Sequence, residues 1–372
     1  MEAAVGAPKA VILVGGEGTR LRPLTLGTHK SMVPVLNRPF LEHLLEHLKE
    51  HGIQEVVLAL RHLHHQLLDY FGDGSAFGIA LHYVVEDSPL GTAGAVKNAG
   101  HFLDDTCFVI NGDIYTDLDL TAMLEFHRQR GAMATIALTH VEDVSSYGVV
   151  EIGVGSRVRR FLEKPHPSQT SAQTINAGTY ILEPQVLDLV PPGQPYMFET
   201  GLFPALLSAG WPLFGHPSSC YWIDIGTPQR YLSLNHHLLH LRQSAAGHSQ
   251  SHSIWSDDGC YVHPTAQVVG PILMGEGCRI GAGARVEGPS ILGVGCSVEP
   301  GARVVGSILW AQARVEAGAV VEKSVLARGC CVGSRAHTTS GCVLGDETSV
   351  PPGSRLEPGT LVWPETPPEK LS

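Results

Sequence analysis

From Lys9 to about Leu241, short apolar runs of strand length alternate with longer stretches of helical period. Lys9–Val14 reads as a buried strand that leads into a glycine-rich loop. Over Arg38–His51 the residues Leu41, Leu44, Leu45 and Leu48 fall on one helical stripe, which puts the His and Glu positions on the other face, in water. Gln54–Leu60, Ala80–Val85, Thr106–Ile110 and Ala134–Thr139 read as further strands, with helical stretches between them. This alternation predicts an α/β fold, a Rossmann-like, mostly parallel sheet sandwiched by helices. Ligands of such sheets bind at the carboxyl ends of the strands.

Past residue 241 the pattern changes. Residues 242–255 begin with the polar run RQSAAGHSQSHS and read as a linker. Then Val262, Val268, Met274, Ile280, Val286, Leu292, Val298 and Val304 fall on every sixth position. The register slips near Trp310, resumes at Val315 and Val321, and slips again. Val332, Thr338, Leu344, Val350, Leu356 and Val362 restore the step. A six-residue period with Gly, Ala, Pro and Cys between the aliphatics predicts a parallel β-helix, three hexapeptides to a coil. The expected organisation is an α/β domain over 1–241, a linker over 242–255, and a repeat domain with a short tail over 256–372.

Composition narrows the function. The 372 residues carry a net charge of −11 and no long Lys/Arg run, which argues against a nucleic-acid partner. No apolar stretch near the N-terminus is long enough for a signal or a membrane span, so a cytoplasmic protein is expected. The eight cysteines show no CxxC pair and should be free thiols in a reducing compartment.

The candidate chemistry begins after the first strand, at Gly15-Gly16-Glu17-Gly18-Thr19-Arg20. Glycines let backbone approach phosphates, and a guanidinium grips their oxygens. The last Gly of a dinucleotide fingerprint is missing, and no Gly precedes Lys30 as a Walker loop requires. The whole stretch GGEGTRLRPLTLGTHKSMVPVLNRP resembles the loop of the sugar-nucleotide pyrophosphorylases, and further matches follow in that family's order. They are Pro89-Leu90-Gly91-Thr92-Ala93-Gly94, Asn111-Gly112-Asp113, Tyr147-Gly148, Glu163-Lys164-Pro165, Asn176-Ala177-Gly178 and Trp222-Ile223-Asp224-Ile225-Gly226-Thr227. Within the family the chain looks most like the mannose-1-phosphate guanylyltransferases, with thymidylyl transfer to glucose 1-phosphate as the alternative. The resemblance also implies that the β-helix is left-handed.

The resemblance assigns roles. Gly15, Gly16, Gly18 and Thr19 would wrap the triphosphate, with Arg20 and Lys30 neutralising it. Glu86, Gly91 and Thr92 would approach the base. Gly148, Glu163 and Asn176 would contact the sugar, and Lys164 its phosphate. Asp113 and Asp224 would hold Mg²⁺. The implied partners are a nucleoside triphosphate and a sugar 1-phosphate, together with further copies of the chain through the β-helix. The chemistry needs no general base, because a phosphate monoester is already mostly ionised at neutral pH. Positioning and charge neutralisation are what remain to be supplied.

Other patterns have plainer readings. His43-x-x-Glu46-His47 and His47-x-x-Glu50-His51 match an inverse zincin motif but lie on the expected solvent face of a helix. Cys260, Cys278 and Cys296 are eighteen residues apart and should stack on successive coils as packing residues. His337 is the candidate base if the β-helix transfers acyl groups, although no acyl-transfer motif surrounds it. His29 stands where the family usually has Pro. A regulatory relative that binds sugar nucleotide without turnover is a second class of function.

Overall fold

The computed structural model of the chain describes residues 8–61, 65–247 and 253–365. Part of the expected linker lies outside them. The chain forms two compact units that interleave in sequence. The first holds residues up to Gly16 and Leu41–Ile223; the second holds Glu17–Phe40 and everything from Asp224 on.

The first unit is built on a nine-stranded sheet. Its parallel half runs Cys107–Asn111, Lys9–Leu13, Glu55–Leu60, Ala80–Val85. These are the apolar runs read from the sequence; Ala80–Val85 keeps its bounds and the other three move by one residue at one end or both. Ala10, Val11, Ile12, Val56, Val57 and Leu58 are fully buried, as strands covered on both faces must be. The other half is antiparallel except for Leu213–Pro217, which pairs parallel with Ala134–His140. Thr174–Leu182 pairs with Cys107–Asn111 and Ala134–His140, and Gly148–Ile152 pairs with Val158–Glu163. The pairing of Thr174–Leu182 shifts between Asn176 and Tyr180, with Gly178 at φ 69°. Bulges of this kind re-aim side chains beside functional sites.

The helix Phe40–Glu50 buries the expected leucines. Its polar side is not wholly in water, which corrects the sequence reading. Glu42 and His43 are buried, and Glu42 accepts a hydrogen bond from Tyr70 at 2.7 Å. His47 is half-buried, and burial pulls its pKa down. The leucine stripe sinks deep enough to take its flanking positions with it.

The second unit is a parallel β-helix with three sheets of seven, six and six strands. Val286, Leu292, Val304, Val315, Val321 and Leu344 all point inward with no exposed surface. Partners along a sheet are 18 residues apart, as in Ile272↔Ser290, except where two coils are one residue shorter, as in Leu292↔Leu309 and Leu309↔Leu326. The short corners pass through Gly306 and Lys323, where the preceding coil has Gly288-Pro289, and they account for both slips of the six-residue period. The thiols of Cys278, Cys296 and Cys330 donate to carbonyls of the next coil at 2.9–3.1 Å. All eight cysteines are free. The helix Pro228–Ala245 runs through the start of the expected linker, and Arg242 stacks over Trp255 at 4.8 Å.

Candidate active site

In the second unit, Gly18 has φ 61° and starts the 3₁₀ turn Thr19–Leu21, which presents Arg20 to solvent. Thr25 ties the loop by donating to the Gly18 carbonyl at 2.7 Å. A second turn, Lys30–Met32, is capped by His29, whose Nδ1 accepts from the Ser31 N–H at 3.3 Å. Lys30 is buried, at 8% exposure. Asp224 lies beside Arg20. A Cβ on Gly226 would stand 2.6 Å from Asp224 Oδ1 and 2.9 Å from Arg20 Nη2, so the ends of both side chains lie against this glycine. Asp224 accepts from the Gly226 N–H at 3.0 Å and pairs with Arg230, a partner that the sequence reading did not include.

The first unit gathers a second group. Asn176 accepts from the Gly178 N–H at 2.9 Å and donates to the Tyr180 hydroxyl at 2.8 Å, which holds the bulge in shape. A Cβ on Gly148 would lie 3.0 Å from Glu163 Oε2. Lys164 sits 3.7 Å from Glu163 and has φ 44°, a left-handed conformation that costs a non-glycine residue energy and clusters at functional positions. Thr92 accepts from the Phe198 N–H at 2.9 Å and meets Glu199 at 3.4 Å. Gly91 has φ 70°, and a Cβ there would meet Met197 and Tyr196 within 3 Å. Glu86 accepts from the Leu90 N–H at 2.9 Å and shapes the turn before Gly91. Asp113 lies between the strands Cys107–Asn111 and Ile114–Thr116. A Cβ on the adjacent Gly112 would collide with the Leu13 carbonyl at 2.7 Å, so the turn at Gly112 packs directly on the first strand. Gly15 and Gly16 form the open loop after that strand, and a Cβ on Gly16 would meet nothing within 4 Å.

Residues 9–240 match the nucleotidyl transferase family, and residues 251–356 match the LbH domain of the EIF2B epsilon subunit. The chain belongs to the nucleotidyl transferase family. A mannose-1-phosphate guanylyltransferase of Mycobacterium tuberculosis is 37% identical over 319 residues, 84% of this chain and 83% of that protein. A UTP–glucose-1-phosphate uridylyltransferase of Synechocystis is 40% identical over 237 residues, 60% of this chain and 61% of that one. Among solved structures, HddC from Yersinia pseudotuberculosis complexed with GMP-PN superimposes with a TM-score of 0.54 at 30% identity, over 62% of this chain and 99% of that one.

The nucleotidyl transferase unit holds one carboxylate that the motifs did not flag. Glu199 lies in the single π-helical turn Phe198–Leu202, against Thr92. Burial, and then repulsion from Glu163, raise its pKa, while Thr92 and Lys164 oppose the rise. Tyr180 next to it is fully buried, and its hydroxyl stays protonated far above neutral pH. An enclosed cluster of Asn, Tyr and carboxylate side chains beside an exposed lysine suits hydroxyl recognition next to a phosphate. Only the π-turn could have pointed to Glu199, and it is not a sequence feature. His337, the candidate base on the β-helix, lies 3.4 Å from Glu322 in a ladder of charged side chains with Arg303 and Glu287. Among the described residues no helix is long and apolar enough to cross a membrane.

Proposed function

We propose that this nucleotidyl transferase moves GMP from GTP to mannose 1-phosphate, giving GDP-mannose and pyrophosphate. What carries the reading is the similarity to the M. tuberculosis guanylyltransferase across 84% of the chain, β-helix included. A phosphate oxygen of the sugar attacks the α-phosphorus of the triphosphate in line; the bond to the β-phosphate oxygen breaks, and pyrophosphate leaves. Gly15, Gly16, Gly18 and Thr19 hold the triphosphate by backbone N–H groups, and Arg20 and Lys30 neutralise it. Glu86, Gly91 and Thr92 bound the base. Gly148, Glu163 and Asn176, with Glu199, bind sugar hydroxyls, and Lys164 pairs with the sugar phosphate. Asp113 and Asp224 are the ligands assigned to Mg²⁺, and the donor type fits, since Mg²⁺ takes one or two carboxylates and completes its shell with water and phosphate. Asp224 faces the guanidinium groups of Arg20 and Arg230. When bound, the ion supplies charge neutralisation on the triphosphate. The chain works in the cytoplasm as a homo-oligomer joined through the β-helix.

A second reading, uridylyl transfer to glucose 1-phosphate, is favoured by the 40% identity to the Synechocystis enzyme. Pyrophosphate release, measured for each pairing of GTP, UTP, dTTP or ATP with mannose or glucose 1-phosphate, decides between them. GTP with mannose 1-phosphate is expected to be fastest, and UTP with glucose 1-phosphate leading instead would install the alternative. Asp113→Asn and Asp224→Asn should each lower kcat/KM by about 100-fold or more, several kcal/mol of transition-state stabilisation. Release of pyrophosphate from no pair would leave only the regulatory reading.

A further inference from the structure

The loop Glu17–Phe40 belongs to the same compact unit as the β-helix, and its last turn is gripped from several sides. It ends in a hairpin, Pro34–Val35 against Arg38–Pro39, turned by Leu36 and Asn37 at φ 48° and 64°. Asn tolerates the left-handed region; a Leu stays there only if its surroundings insist. The surroundings are specific. The Leu36 N–H donates to Asn235 Oδ1 at 3.0 Å, and Asn37 Nδ2 donates to the Leu292 carbonyl of the β-helix at 3.0 Å. The Tyr231 hydroxyl donates to the Pro34 carbonyl and accepts from the Trp310 indole N–H at 3.0 Å. Asn235 is fixed in turn by donating to the Tyr231 carbonyl at 2.9 Å. Tyr231 and Asn235 are fully buried, and Trp310 is 4% exposed.

The β-helix is shaped to receive the loop. The residues after the five inner strands of its seven-stranded sheet form a column: Gly275, Gly293, Trp310, Ala327, Gly345, each donating its N–H one coil onward at 2.7–2.9 Å. Four of the five are Gly or Ala. A Cβ at Gly275 would meet the Val294 nitrogen at 2.8 Å and Asn37 Nδ2 at 3.3 Å, and one at Gly345 would meet Pro364 Cδ at 2.8 Å and Pro23 Cβ at 3.0 Å. At Gly275 and Gly345 the loop therefore lies against the column, and Trp310, the one large residue among these five, holds it through Tyr231.

We infer that the β-helix is the positioning scaffold of the phosphate-gripping loop, and that the chain of contacts Trp310–Tyr231–Pro34 sets the placement of Lys30 four residues upstream. The inference rests on the assignment of Arg20 and Lys30 to the triphosphate. Trp310, Tyr231, Asn235 and Asn37 are positioning residues; none touches substrate.

The test is steady-state kinetics of the full chain. Trp310→Phe keeps a ring and removes the donor; Tyr231→Phe removes the hydroxyl. Each should raise KM for the nucleoside triphosphate by about 5- to 10-fold while KM for the sugar phosphate stays within twofold, and the double variant should be no worse than either single, because both break one chain of contacts. A merely structural role would lower kcat through the active fraction and leave both KM values alone, and that outcome overturns the inference. Asn37→Ala, at a half-exposed site, carries the same test if the buried variants do not fold. Lys30→Met serves as the reference. If it loses activity while Trp310→Phe, Tyr231→Phe and Asn37→Ala keep wild-type KM for the triphosphate, the scaffold falls and the site stands. If Lys30→Met itself keeps wild-type KM, the assignment of the loop to the triphosphate falls, and the scaffold with it.

Discussion

At the scale of single residues, His29 shows how a departure from a family pattern can be absorbed. Its φ of −59° is a value that proline adopts, and its ring does what a proline cannot, capping the turn Lys30–Met32 through Ser31. Proline would remove that cap, worth about 0.5–2 kcal/mol, and return about 0.4–1 kcal/mol by restricting the unfolded chain. His29→Pro should therefore shift stability by about 1 kcal/mol or less and leave kcat within a few-fold, measured by thermal melting and pyrophosphate release. A large fall in kcat at unchanged Tm would mean that His29 touches substrate. Residue types and motif order are enough to single out Arg20, Asp113, Lys164 and Asp224 as candidates. The pairing of Asp224 with Arg230 is not legible, because nothing in a helix's first turn announces which way its arginine folds back. Glu199 is hidden for a related reason, as its enclosure depends on a π-turn set by distant packing.

Among the elements, the helix Pro228–Ala245 carries a titrating group with a global consequence. His236 is held in the second unit with its Nε2 buried and without a hydrogen-bond partner, and burial pulls its pKa down to about 4. The unfolded chain binds this proton below pH 6.5, whereas the folded chain binds it only below about 4. Between those values the unfolded state holds more protons, so stability falls as the pH is lowered through the window. The difference corresponds to a loss of up to about 3 kcal/mol. His236→Gln should flatten the dependence of Tm on pH between 6.5 and 4; an unchanged slope would place the acid lability elsewhere. The elements themselves are unevenly legible. Parallel strands buried on both faces announce themselves as unbroken apolar runs, and the β-helix announces itself by its period. The antiparallel strands Gly148–Ile152 and Val158–Glu163 mix Val and Phe with Glu151, Arg159 and Arg160, and the bulge in Thr174–Leu182 breaks what alternation there is. The polar run after residue 241 reads as linker, yet polar residues are also what the outer face of a terminal helix requires.

For the whole molecule, the first coil of the β-helix is an open edge that displays Ile254, Tyr261, Val262 and Val269 at 38–54% exposure. Unpaired strand edges with apolar side chains favour self-association, and a second copy is the proposed occupant. Light scattering of the full chain should give a multiple of 39.8 kDa, and Tyr261→Lys with Val262→Lys should lower it while pyrophosphate release is retained. A monomeric wild type, or an oligomer indifferent to these changes, would rule this edge out.

The interleaving of the two units bears on how the chain is made. Glu17–Phe40 is translated before the rest of its unit, which resumes only at Asp224. The gap, residues 41–223, is 183 residues, which takes about 10 to 40 s to translate at common elongation rates. For that interval the loop has no scaffold, and Leu36 has nothing to hold its left-handed turn. The hairpin Pro34–Val35 against Arg38–Pro39 is thus made well before the residues that hold it, and a nascent chain stalled anywhere before Trp310 lacks the indole N–H that donates to Tyr231.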